Sequence, residues 1–330
     1  MKVAVDAMGG DYAPQEIVKG AIQAASNGEI EIILVGSEDV IYREMAKHDV
    51  SHLPIHVVNA SEVIRDDESP VAALHHKPDA SVPVAMRLVK EGKADAVVSM
   101  GHTGMVMVSA IETLGKLPSI KRPSVGAILH GLAPNTVVLD MGANVDCKPR
   151  DLLSFATIGC VVARRMLHIT NPTVALLSNG TEEGKGNKIV KEAYQLFKSS
   201  NLNFIGNVEG NDIPRGRANV IVCDGFTGNV LTKFSEGLGD LIIERLKITL
   251  DNRLSNEELD AISDDLFALT HIADISGGGL IYGVDGVAWI GHGRSKAPQL
   301  AEAIRQAKLA VETNLVQELK AGLVKVSNEG

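Results

Sequence analysis

The sequence predicts an α/β fold in which a mostly parallel sheet is covered by helices on both faces. Three observations carry this expectation. Short β-branched runs alternate with longer segments of helical period along the whole chain. Glycine supplies 32 of the 330 residues while aromatics supply 3%, which implies many tight turns and a core of Ala, Val, Ile and Leu. The strand-like runs end, one after another, in glycine-bearing loops.

Taken in order, the first strand is expected at 2–6, where Val3, Ala4 and Val5 precede Asp6. Further strands are expected at 30–35, 55–58, 94–99, 136–140, 173–178, 203–205 and 218–223. Their Val, Ile and Thr side chains are stiff at χ1 and pack well on a pleated surface. Helices are expected at 14–27, 38–47, 81–91, 103–114, 148–167, 185–199, 229–250, 255–273 and 295–319. Pro149 with Asp151, and Pro298, mark first turns, where a missing N–H costs nothing. No Pro/Ser linker divides the chain, so the expectation is one catalytic α/β/α domain over 1–330. The stretch 237–274 lacks strand signals and is expected as a helical protrusion.

One segment repeats: 94–104 aligns without gaps on 218–228, each a strand running into Gly-x-Thr-Gly and a helix. Two similar loops are therefore expected at the carboxyl edge of the sheet, where open α/β folds bind ligands. The other strands end similarly, at Asp6-Ala7-Met8-Gly9-Gly10-Asp11, at Asp140-Met141-Gly142-Ala143-Asn144, and from Ser178 through Gly180 and Lys185 to Asn187. Glycine lets backbone N–H groups approach an anion, and a helix N-terminus adds partial positive charge. The edge reads as phosphate-recognising.

Composition excludes several classes. Lys and Arg number 32 against 41 Asp and Glu, a formal charge of −9 with no basic run, which argues against nucleic acid as a partner. The start resembles no signal peptide, and no apolar run approaches the ~20 residues of a spanning helix, so a cytoplasmic location is expected. Cys147, Cys160 and Cys223 have no C-x-x-C spacing and read as buried thiols, with neither disulfide nor zinc. Gly180 to Gly186 departs from a P-loop in spacing and lacks Ser or Thr after Lys185. There is no G-x-G-x-x-G after a strand, no G-x-S-x-G elbow and no H-E-x-x-H. His75 and Asp79 are one residue too close for the His-x4-Asp spacing of glycerol-phosphate acyltransferases.

The motifs at 6–14, 139–144, 180–187, 204–210 and 224–229 together resemble the bacterial phosphate acyltransferase family, in its order and over nearly the whole chain. The resemblance implies a homodimeric three-layer α/β/α sandwich related to isocitrate and isopropylmalate dehydrogenases and to phosphotransacetylase. It implies transfer of a fatty acyl group from acyl-acyl-carrier-protein to orthophosphate, giving acyl phosphate for phospholipid synthesis, with no cofactor and no metal. The implied partners are acyl carrier protein, orthophosphate, a second copy of the chain and a membrane glycerol-phosphate acyltransferase. Where the family has Ala-Gly-Asn-Thr-Gly, this chain has Met100-Gly101-His102-Thr103-Gly104, so no role carries over to His102. Five carboxylates in 255–267 stand where some members have a lysine-rich tip that touches membrane, which leaves peripheral attachment open.

On this reading Lys185 binds phosphate or the oxyanion, and Asn187, Thr227 and Asn229 donate hydrogen bonds. Thr103, Asn144 and Thr181 are second choices, and the backbone at Gly9, Gly10, Gly104 and Gly228 completes the phosphate-binding set. Asp6, Asp140 and Asp224 orient donors or accept a proton, Asp224 being placed with Lys185 and Asn229 as catalytic. His292 either meets the site or closes a turn. Leu238, Leu241, Ile242, Ile243 and Leu246 suit a dimer contact, and Lys121, Arg122, Lys148, Arg150, Arg164 and Arg165 are candidates for an acidic carrier protein. Two other functions stay open: a phosphotransacetylase-like enzyme using acyl-coenzyme A, and a scaffold that binds carrier protein.

Overall fold

The computed structural model describes residues 1–65, 68–250 and 253–327. Its strands are β1 (Lys2–Asp6), β2 (Glu31–Gly36), β3 (Ile55–Asn59), β4 (Ala96–Ser99), β5 (Ser124–Leu129), β6 (Ala133–Leu139), β7 (Thr173–Leu177), β8 (Asn203–Val208), β9 (Val220–Val222), β10 (Gly279–Tyr282) and β11 (Val287–Ile290). Its helices are α1 (Gln15–Ala25), α2 (Glu38–Met45), α3 (Pro70–His76), α4 (Ser81–Lys90), α5 (Thr103–Leu114), α6 (Pro149–Met166), α7 (Lys188–Lys198), α8 (Gly225–Leu250), α9 (Asn256–Thr270), α10 (Ile272–Ile275), α11 (Ala297–Glu312) and α12 (Leu315–Ser327).

The chain forms two compact units, one from Met1–Pro123 with Ser276–Gly330 and one from Ser124–Ile275. The second is inserted into the first without a linker of distinctive composition, which is why the sequence alone reads as one domain. In the first unit the strand order is β3-β2-β1-β4-β11-β10, parallel except for the β11/β10 pair. In the second it is β5-β6-β9-β7-β8, parallel except for β5/β6. The mostly parallel α/β architecture is thus as the sequence predicts.

Successive side chains of a strand point to opposite faces, so a strand buried at every residue is covered on both. That is the state of β4 and β9, and of β1 after Lys2. Each fully buried Val, Leu or Ile contributes about 1.5–3 kcal/mol, and in the second unit Val138, Ala175, Ile221 and Val208 share one cluster. Helices seat closely where glycine allows it. A Cβ on Gly159 of α6 would stand 2.3 Å from Val220 Cγ1 of β9, and one on Gly20 of α1 would stand 2.7 Å from the Ala297 carbonyl of α11.

Three strands and one helix escape the sequence reading. β10 and β11 are four residues each and sit among glycines, β5 carries Gly126, which lowers its strand propensity, and α3 is barely two turns. The single helix expected at 295–319 is two, α11 and α12, separated at Asn314, whose φ of 56° lies in the left-handed region. The expected start of α8 at 229 moves back to Gly225, because Asp224 caps the helix earlier: its Oδ1 accepts from Thr227 N at 2.7 Å. The expected cap of α6 is present, Asp151 Oδ2 accepting from Lys148 N at 2.9 Å. The strand-free stretch holds the second half of α8, then α9 and α10. Among the described residues no helix is long and apolar enough to cross a membrane.

Candidate active site

In the second unit β6, β9 and β7 are adjacent and parallel, so the loops that follow them emerge at one carboxyl edge, about 4.8 Å apart strand by strand. These are the loops of Asp140 to Asn144, Cys223 to Asn229, and Ser178 to Asn187. The first is built around a carboxylate. Asp140 is fully buried; Oδ1 accepts from Gly142 N (3.1 Å) and Ala143 N (2.9 Å), and Oδ2 from Asn144 N (2.9 Å) and Asn144 Nδ2 (2.7 Å). Burial pushes the Asp140 carboxyl above its ordinary value, and those N–H donors pull it back.

The second loop docks on the first. Gly225 N donates to the Asn144 carbonyl at 2.7 Å, and a Cβ on Gly228 would stand 1.9 Å from the Asp140 carbonyl oxygen. Only glycine permits α8 to begin so close to the Asp140 loop. Asn229 follows at once, and a Cβ at Gly142 would lie 3.6 Å from its Oδ1. In the third loop Gly186 N donates to Asn179 Oδ1 (2.8 Å) and Asn187 Oδ1 accepts from Val190 N (2.9 Å), capping α7. The Lys185 stem lies over Gly180, where a Cβ would meet Lys185 Cγ at 2.7 Å.

The candidate residues of this unit therefore divide by what their side chains are already doing. Asp140, Asn144, Asp224 and Asn187 are engaged in holding loops and caps. By contrast the Lys185 ammonium, the Asn229 amide and the hydroxyls of Thr181 and Thr227 make no side-chain hydrogen bond or ion pair among the described residues, and Lys185, Asn229 and Thr181 are exposed. Donors left open at the carboxyl ends of parallel strands, beside the N-terminus of a long helix, suit an oxyanion. Lys148 and Arg150, at the start of α6, follow the Asp140 loop closely. Arg164 and Arg165 lie at the far end of that 18-residue helix, roughly 20–25 Å away at about 1.5 Å per residue.

The first unit repeats the plan. Asp6 ends β1, is buried, and accepts from Ser99 Oγ at 2.6 Å and Met8 N at 3.1 Å, while Gly101 N donates to Ser99 Oγ at 3.0 Å. Burial raises its carboxyl, opposed by hydrogen bonds from Ser81, Ser99, Met8 and Gly9. The repeated segment thus recurs in three dimensions: Ser99 aligns with Cys223, and Cys223 Sγ likewise reaches the partner strand's end, donating to the Asp140 carbonyl at 3.3 Å. A pocket opens beside Asp6, lined by Gly9, Arg65, Glu68, Ser81, Gly101 and His102 with apolar neighbours. Gly10 is left-handed (φ 105°) and the next amide, Asp11 N, donates to the Gly293 carbonyl at 2.8 Å, which puts the His292 loop against this one. Thr103 and Gly104 open α5, with the His102 ring folded back over Gly104.

Sequence reasoning takes the Gly-rich loops as cradles for an external anion. The structure shows that several of their amides, at Met8, Gly9, Gly142, Ala143 and Asn144, are turned to the strand-end aspartate of the same loop. Ser81, Ser99 and Arg65 carry no motif of their own in the sequence; the alignment of Ser99 with Cys223 is the signal that points to Ser99.

All three cysteines are buried. Burial, with the nearby Asp140 charge, pushes the Cys147 thiol up to about 12, burial pushes Cys160 to about 11, and burial raises Cys223 well above the ordinary thiol value. A thiol in that state is a poor nucleophile near neutrality. The native protein is expected to release no chromophore from Ellman's reagent at pH 8 over minutes, and three equivalents in denaturant. One fast-reacting thiol in the native protein would contradict this.

The family described as "Fatty acid synthesis protein" matches residues 1–318. A protein of Thermosynechococcus vestitus named phosphate acyltransferase is 44% identical over 331 residues, covering 97% of this chain and 94% of its own. One of Heliobacterium modesticaldum with the same name is 46% identical over 330 residues, covering 97% of each. Among solved structures, a phosphotransacetylase from Staphylococcus aureus superposes with a TM-score of 0.61 at 17% identity, over 94% of each chain. A 4-hydroxythreonine-4-phosphate dehydrogenase from Klebsiella pneumoniae gives 0.51 at 13%, over 94% of this chain and 99% of that one. These two show a shared fold.

Proposed function

Since the chain belongs to the phosphate acyltransferase family, we propose that it moves a fatty acyl group from an acyl-carrier-protein thioester to orthophosphate. The observation that supports this most is the set of uncommitted donors at the carboxyl edge of the second unit, Lys185, Asn229, Thr181 and Thr227. Hydrogen phosphate is already an anionic nucleophile. One of its oxygens bonds to the thioester carbonyl carbon, the tetrahedral oxyanion collapses, the C–S bond breaks, and the proton that phosphate carried ends on the departing thiolate. No strong base is required, in keeping with aspartates that are engaged in shaping loops. Positioning of the two reactants supplies about 7–11 kcal/mol, and each oxyanion donor about 3–4 kcal/mol. In this reading Lys185 and Asn229 hold phosphate and oxyanion, Thr227 and Thr181 complete the anion site, Asp224 and Gly228 set the start of α8, and Lys148 and Arg150 meet the acidic carrier protein.

The test is thiol release from palmitoyl-acyl-carrier-protein with and without orthophosphate, the product being followed as hydroxylamine-sensitive acyl phosphate. Phosphate-dependent appearance of both products is expected. Carrier binding without turnover would sink the reading in favour of a scaffold, and turnover with palmitoyl-coenzyme A alone would reassign the donor. The acyl phosphate would then serve phosphatidic acid synthesis, passed on in the cytoplasm to a membrane glycerol-phosphate acyltransferase.

A second copy of the chain belongs to the same proposal. Along α8, Phe226, Val230, Phe234, Leu238, Leu241 and Ile248 are exposed. At about 100° per residue they fall on one face, opposite the buried Gly225, Gly228, Thr232, Glu236 and Gly239. A helix that buries glycines and polar residues and exposes its large apolar ones fits a symmetric partner. Phe234→Asp with Leu241→Asp is expected to convert a dimer to a monomer in sedimentation velocity, and an unchanged sedimentation coefficient would refute this.

A further inference from the structure

We infer that Asn207 is a positioning residue for Lys185, an inference that rests on the reading of Lys185 as a phosphate ligand. Asn207 lies near the end of β8, opposite Leu176 of β7, and is 5% exposed. Its Nδ2 donates across to the Glu182 carbonyl at 2.9 Å. The same oxygen accepts from Lys185 N at 3.0 Å. One carbonyl therefore receives two N–H groups, one from the sheet and one from the residue that carries the ammonium, and the turn between Glu182 and Lys185 is pinned to β8 at that point.

Asn179 holds Gly186 N, Asn187 caps α7, and Glu183 within the turn accepts from Gln195 and Lys198 of α7; these tie the loop to itself and to the helix, and Asn207 ties the turn to the sheet. Its orientation is fixed by chemistry: rotating the amide would set Oδ1 against the Glu182 carbonyl, two acceptors face to face. Oδ1 itself has no hydrogen-bond partner among the described residues, so the amide's contribution within the protein comes through its donor. The Lys185 stem passes over Gly180, where a Cβ would meet its Cγ at 2.7 Å. With the backbone turn pinned, the Cα from which the exposed Lys185 side chain extends has a set place at the carboxyl edge. Asn207 itself points beneath the loop, so it acts through Lys185.

The test compares orthophosphate dissociation constants, from phosphorus-31 line-width titrations of the full chain, for the wild type, Asn207→Leu, Lys185→Ala and the double variant, with Asn207→Asp as the isosteric change that removes the donor. Asn207→Leu and Asn207→Asp are expected to weaken phosphate binding by about fivefold or more, the scale of one lost hydrogen bond, with unchanged secondary structure by circular dichroism. In the Lys185→Ala background the same changes are expected to have no further effect, because the two residues act as a unit. Equal weakening in both backgrounds would show general damage to the fold and overturn the inference, as would normal phosphate binding in the single variants. A wild type that does not bind phosphate at all would sink the Lys185 reading itself, and this result is seen before any Asn207 variant is compared.

Discussion

Asp140→Ala is expected to lower unfolding free energy by about 3–5 kcal/mol in urea titrations and to leave no measurable turnover. The carboxylate accepts four N–H bonds of 2.7–3.1 Å while fully buried. Each hydrogen bond to a charged group is worth about 1.5–3 kcal/mol, and because Gly142 is exposed and Ala143 and Asn144 are half-buried, solvent can satisfy part of what the lost acceptor leaves open. Water entering the cavity would recover part of this, which sets the lower bound. Asp140→Asn separates chemistry from volume. It preserves shape, yet turns an NH2 toward N–H donors, so it too is expected to be destabilising by at least about 2 kcal/mol. An Asn variant as stable as the wild type would mean that the loop is held by packing alone. Activity is lost for a related reason: Gly225 is hydrogen-bonded to Asn144 and Gly228 abuts Asp140, so a displaced loop displaces the start of α8 and Asn229 with it.

Lys185→Ala should do the reverse. The residue is exposed, and its ammonium has no ion-pair or hydrogen-bond partner among the described residues, so the unfolding midpoint is expected to stay unchanged. Phosphate-dependent thiol release, however, is expected to fall by tenfold or more, since one donor to a developing oxyanion is worth about 3–4 kcal/mol. If Lys185 binds ground-state phosphate, most of the loss appears in KM for phosphate. If it stabilises the oxyanion, the loss appears in kcat. Asn229→Ala is expected to cut the rate on the same scale. A near-normal rate in either variant would remove that residue from the site.

Much of this architecture is legible in the sequence because local chemistry and tertiary placement agree. β1, β4 and β9 are short β-branched runs, the first two ended by Asp6 and Ser99 and the third followed by Cys223 and Asp224, each leading into a glycine-bearing loop, and both copies of the repeated segment form the strand-to-helix turn expected of them. Pro149 and Pro298 mark real helix starts. Illegible features depend on long-range neighbours. β10 and β11 owe their strand character to pairing with each other and of β11 with β4, and to burial at every residue, since four residues among glycines carry little propensity of their own. At the site, residue type identifies the loops but not the direction of their amides. Gly142 and Ala143 look like donors for a ligand until Asp140 is seen to accept from both. Asn187 and Asn229 are alike in sequence terms; only the backbone reveals that Asn187 caps a helix and Asn229 faces outward.

The way one unit interrupts the other also orders events during synthesis. Ser124–Ile275 is continuous, so all of its strands have left the ribosome before the first unit is complete. The first unit waits, because β11 pairs with β4 and α11 seats on α1, and both belong to its second segment. Until those residues emerge, β4 presents an unpaired parallel edge and α1 an uncovered face, the surfaces on which a nascent chain aggregates or recruits a chaperone. For this chain, the interval between translation of Ser99 and of Glu312, the end of α11, is the window of greatest exposure, and it closes only with the last fifth of the protein.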